Sequence, residues 1–137
     1  LADIHVYKGT VTSGGTNGTL VSEGGAQTAP ITVGPLNATD NEVSTDQKLA
    51  VRCDTGYVTS GDTTITPTGT TAAKWALAPD NAGVAGTYGA YGAALTVSSV
   101  IDATNTIFWA KAKATSDESP VNDVSVSLQV SALIAAV

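Results

Sequence analysis

One cysteine, one histidine and no methionine occur in 137 residues, and each scarcity closes off a class of chemistry. A lone Cys53 excludes an internal disulfide, a CxxC redox pair and any multi-cysteine zinc site, and it reads as a small buried hydrophobe. His5 shares a strand face with Asp3 and Tyr7, and with no nucleophile motif near it reads as a surface histidine rather than a base. The GxSxG elbow, HExxH, the EF-hand loop and the Walker pattern are all missing. Cations are few as well. Six Lys and Arg face twelve Asp and Glu, a net charge of −6, so the chain has no basic stripe to neutralise phosphates and no nucleic-acid partner is expected. No apolar run approaches a membrane span, and residues 1–30 hold no signal-peptide core, so no membrane partner is expected either. Without methionine, Leu1 stands either for an initiator from a non-standard start codon or for the first residue left by a removed leader. Mass spectrometry of the N-terminus separates the two.

What remains is an apolar content of 42% with only 13% charge, and a polar balance of Thr, Ser, Asn and Gly. Threonine and valine suit a pleated surface and glycine and asparagine supply bends, so strands and turns are predicted throughout. Helical periodicity is hard to find anywhere. Apolar and polar residues instead alternate in short runs bounded by Gly, Pro, Asn and Asp.

Residues 2–8 alternate as a strand, and the segment 19–23 returns as its hairpin partner after the turn dipeptide Asn17-Gly18. Further strands are predicted at 31–36, cut by Pro35, and at 47–53, where Leu49, Val51 and Cys53 share a face. Residues 57–68 read as two short strands or one hairpin turned at Ser60-Gly61-Asp62, followed by strands at 73–79 and 94–100. The glycine-rich stretch 81–93 reads as a long loop carrying Tyr88 and Tyr91. A strand at 105–114 places Phe108, Ala110, Ala112 and Ala114 inward and Ile107, Trp109, Lys111 and Lys113 outward. The lysines then read as a solvated face that guards against edge pairing, and Trp109 is left to be shielded by the N-terminal hairpin or by a neighbouring subunit.

The last segment, 121–137, is the most informative. Val124, Val126, Leu128 and Val130 alternate with serine and glutamine, which is half-buried antiparallel β with one wet face. Beyond Ser131 the alternation stops, and residues 132–137 are apolar on both faces. Either this domain or another subunit covers them. The whole is predicted to be an all-β, immunoglobulin-like antiparallel β-sandwich at 30–137, preceded by an N-terminal strand or hairpin arm at 1–29, with Trp75 as the central aromatic.

Loop glycines 86, 89 and 92 do not follow a parallel strand or open a helix, so they do not form a phosphate loop. Asn17 and Asn37 match the glycosylation pattern without weight in a threonine-rich chain. The carboxylates Asp40, Glu42 and Asp46, or Asp117, Glu118 and Asp123, lack the spacing of a calcium site and read as solvated. With no nucleophile, base and metal cluster together, an enzyme is not expected and no cofactor is expected.

The segments ADIHVYKG, TSGGTNGTLVSEGG, KLAVRCDTGY and FWAKAKATSDESPVNDVSVSLQV resemble small, Thr- and Gly-rich virion proteins of tailed phages and prophages of Gram-positive bacteria. The resemblance implies a β-sandwich attached in many copies to a particle, as head-decoration and tail-associated immunoglobulin-like proteins are, resident in the virion after synthesis in the host cytoplasm. It carries no catalytic residues. The expected partners are copies of the chain itself or a capsid or tail protein, reached through Ile4, Val6, Tyr88, Tyr91, Trp109, Leu133, Ile134 and Val137. Two alternatives stand beside it: a secreted, extracellular fibre, and an adhesive module whose Tyr88, Tyr91 and Trp109 stack on a host-surface glycan.

Overall fold

The computed structural model describes residues 3–21, 30–32, 36–37, 41–115 and 126–137. In chain order its strands are β1 (Ile4–Lys8), β2 (Thr19–Leu20), β3 (Gln47–Cys53), β4 (Tyr57–Thr59), β5 (Thr63–Thr68), β6 (Trp75–Asn81), β7 (Val84–Ala85), β8 (Leu95–Val97), β9 (Thr106–Ala112), β10 (Ser127–Ser131) and β11 (Ile134–Ala136). A 3₁₀ turn at Ala72–Lys74 precedes β6. Each of these strand pairs is antiparallel, as the alternation of the sequence predicts.

One sheet runs in the order β2-β1-β3-β9-β6-β7. Its register places Ile4 beside Cys53, Val6 beside Val51, Leu49 beside Phe108 and Leu77 beside Ala110, so the period of two delivers one apolar face. The other layer is built from β10-β5-β8 and β11-β4, and hydrogen bonds join these into one bent, three-stranded unit. The rung Ser131↔Thr64 is followed across the bend by Ile134↔Thr59, with Ser60 N–H donating to Leu133 O at 2.7 Å between them. On the other flank, the rung Thr63↔Val97 is continued by Thr59 N–H donating to Ile101 O at 2.9 Å. β4 and β5 are thus one strand bent at Ser60-Gly61-Asp62, where Gly61 at φ +90° supplies a left-handed conformation that a side chain resists.

Ile4, Val6, Leu49, Val51, Cys53, Leu77, Phe108 and Ala110 of the first sheet meet Ile65, Ile101 and Val130 of the second in one buried cluster. This is the packing of two β layers over a shared core. The architecture is an antiparallel all-β, sandwich-like fold.

Several expectations change. The central aromatic is Phe108, fully buried, whereas Trp75 is half-buried, because it sits at the first position of β6, beside Ala112 at the last position of β9. Ile4 and Val6, expected at an interface, retain 3% and 6% exposure and belong to the domain's own core: β1 lies between β2 and β3 and presents them inward. The hairpin of β1 and β2 is closed by the ten residues 9–18 rather than by a tight Asn17-Gly18 turn. Ile31, Thr32 and Leu36 are outside any strand, and 33–35 lie outside the described residues. The strand expected at 73–79 continues to Asn81 and folds back as β7.

Candidate functional site

The glycines at 83, 86, 89 and 92 recur every third residue, and the structure uses that period. From β7 the chain runs back along the outer edge of β6 as a strap. Gly86 N–H donates to Pro79 O at 2.8 Å, Gly89 N–H to Leu77 O at 3.0 Å, and Gly92 N–H to Trp75 O at 2.7 Å. Three strap residues therefore match two residues of β6. Only glycine permits the approach at two of these points: a Cβ on Gly86 would lie 2.9 Å from Pro79 O, and one on Gly92 would lie 3.2 Å from Ala73 Cα at a φ of +87°.

Between the glycines sit Tyr88 and Tyr91, which meet Lys111 of β9 and Lys113 just beyond its end. Lys111 Nζ is 4.3 Å from the centre of the Tyr88 ring, and Lys113 Nζ is 4.2 Å from that of Tyr91. Ala76 and Ala78, small and fully buried, pair with Lys111 and Trp109 on the same outer face of the sheet, which leaves room for rings to cross β6. Tyr88 O–H also donates to Asp46 Oδ1 at 2.8 Å. Burial first, then the bond to Asp46 and the charges around it, push the Tyr88 phenol well above its usual range. The expectation that the lysines guard an edge fails for a topological reason: β9 lies between β3 and β6, in the interior of its sheet.

Trp109 is covered by its own chain. It is half-buried, its Nε1–H donates to Asp80 Oδ1 at 2.9 Å, and it packs with Tyr7 against Val11, Ala50 and Ile107. The N-terminal segment thus supplies one of the two covers expected for it.

That segment is fastened by a polar cluster that sequence reading missed. Asn105, 4% exposed, donates through Nδ2 to Thr12 O at 3.1 Å and Asn17 Oδ1 at 3.0 Å, and its Oδ1 accepts from Arg52 Nη1 at 2.7 Å. Arg52, the chain's one arginine, also donates to Asn17 O at 3.0 Å and lies 3.5 Å from the centre of the Tyr7 ring. Gly18 at φ +118° has no room for more, since a Cβ there would sit 2.6 Å from Val11 Cγ1. These partners are separated by 35 to 93 positions in the chain, so no local pattern announces them.

The residues with chemical potential are otherwise engaged. Cys53 is buried, its thiol donates to Ile101 O at 3.4 Å, and burial, then the charges of Asp102, Asp54 and Asp3, raise its pKa, which disfavours a thiolate nucleophile. His5 Nε2 lies 3.3 Å from Asp54 Oδ2. Among the described residues no group of three or more His, Cys, Asp and Glu is placed to hold a metal; Asp40, Asp117, Glu118 and Asp123 lie outside them. A groove of about 380 Å³ beside β8 is lined by hydroxyl and apolar side chains in equal measure, with Asn105 and with Asp80, whose two oxygens already accept from Trp109 Nε1–H and Gly83 N–H. Among the described residues no helix is long and apolar enough to cross a membrane.

The C-terminal residues divide. Ile134 pairs with Thr59 and packs on the core, so the domain covers it, while Leu133 and Val137 keep 73% and 88% of their surface. Compared with known proteins, the chain matches no family model, no curated protein and no solved structure.

Proposed function

We propose that this is a non-enzymatic structural protein, an immunoglobulin-like β-sandwich used in many copies as a decoration or assembly subunit of a phage particle. The observation that carries the reading is that, among the described residues, Leu133 and Val137 are the two most exposed large apolar side chains. Apolar groups left in water on a domain that otherwise encloses its core favour contact with another protein surface. Repetition on a symmetric particle then makes a weak contact sufficient. The net charge of −6 supports a protein partner over nucleic acid.

The secreted-fibre alternative uses the same contact and differs in where the protein resides. The glycan alternative has less support, because Tyr88 and Tyr91 each hold a lysine ammonium against the ring and Trp109 is packed under the N-terminal segment. Immunogold electron microscopy of the native source tests the proposal: label at regular positions on capsids or tails is expected, and label confined to free fibres or cell surfaces refutes it.

A further inference from the structure

A strand at the outside of a sheet offers a row of unpaired N–H and C=O groups, and proteins shield such rows by shortness, charge, proline or a covering segment. Here β2 and β7 are two residues long, β8 is three, and the outer edge of β6 is closed by the glycine strap. The other outside strand is different. β10 and β11 together span Ser127 to Ala136, with backbone bonds to β5 and β4 on one side and, among the described residues, no strand on the other. From 126 to 137 the chain holds no proline and no charged side chain. Ser127, Gln129 and Ser131 are exposed.

We infer that this edge pairs with the same strand of a second copy, antiparallel about a two-fold axis, joining two three-stranded layers into one of six strands. The backbone pattern dictates an extended strand as occupant. The charge distribution selects a second copy: with a net charge of −6 two chains repel over much of their surfaces, but a two-fold axis through this strand sets only neutral side chains opposite one another. The inference rests on the multi-copy reading above and gives it a contact.

The test is the full chain carrying Ser127→Lys and Ser131→Lys, which sets like charges across the axis while altering only exposed side chains. Sedimentation of the wild type is expected to show concentration-dependent dimers or larger species, lost in the double variant with an unchanged circular dichroism spectrum and retained in Thr16→Lys. Single cysteines placed in turn at 127, 129 and 131 are expected to give one strongly cross-linked position, the one at the axis. A wild type that stays monomeric at its highest soluble concentration overturns the inference. So do charged variants that still dimerise, or outer-edge amides of β10 already protected from exchange in the monomer by residues of the same chain. Particles carrying the charged variant at wild-type copy number would remove the edge and leave the particle role standing; edge-dependent dimers in a protein absent from particles would do the reverse.

Discussion

Replacing Asn105 by alanine removes the knot that holds residues 12–17 against the first sheet. The Nδ2 group has two hydrogens for three acceptors within 3.1 Å, so two full bonds are lost, at about 0.5–1.5 kcal/mol each. The bond from Arg52 Nη1 is charge-assisted and short, but the guanidinium is only half-buried, so its loss is taken at about 1 kcal/mol, below the usual range for such bonds. The total is about 3 kcal/mol, which for a domain of this size lowers the melting temperature by roughly 10 °C. Urea titration should show a lower midpoint with an unchanged slope, and amide exchange should accelerate from Val11 to Gly18 more than in β3 or β9. Asn105→Asp should be no better, because a carboxylate restores the arginine contact yet sets oxygen against Thr12 O and Asn17 O. A loss under about 1 kcal/mol, or unchanged exchange in that segment, would refute the assignment of the cluster as its anchor.

Phe108→Ala empties the centre of the core and should cost about 3–5 kcal/mol by chemical denaturation, well above the cost of Trp75→Ala at the rim. Gly18→Ala combines a left-handed backbone with an overlap on Val11 and should cost about 2–4 kcal/mol in the same assay. Because the Tyr88 phenol titrates higher folded than unfolded, the stability it contributes is intact below about pH 10 and declines as pH rises further; chemical denaturation at stepped pH should show a steeper loss of stability above about pH 10 in the wild type than in Tyr88→Phe. Cys53 follows the same sign from its own ordinary range, and a thiol reagent at neutral pH should label it only at the rate of unfolding.

The strands legible in the sequence are those whose faces differ. Gln47–Cys53 and Thr106–Ala112 announce themselves by alternation, and the inward Phe108 face followed from the small alanines beside it. Size alone does not make Trp75 central, because an indole at the first position of a strand serves the rim. Ile4 and Val6 were as alternating as Leu49 and Val51, but alternation alone does not say whether a neighbouring strand lies on each side. The strap does carry a signal, glycine at every third position from 83 to 92, which is neither the helical nor the strand period and so predicts a loop. The Asn105 cluster had none, since its geometry exists only once segments some ninety residues apart are brought together.

The strap also sets a rule for how this chain can change length. Its three-to-two gearing against β6 works like a vernier: removing one residue between Gly86 and Gly92 would throw each later amide off its carbonyl and each tyrosine off its lysine. Removing a whole triplet would only shorten the cover by one rung, about 6.6 Å of strand. Viable variants in this region should therefore come in threes, a length code written by hydrogen bonds.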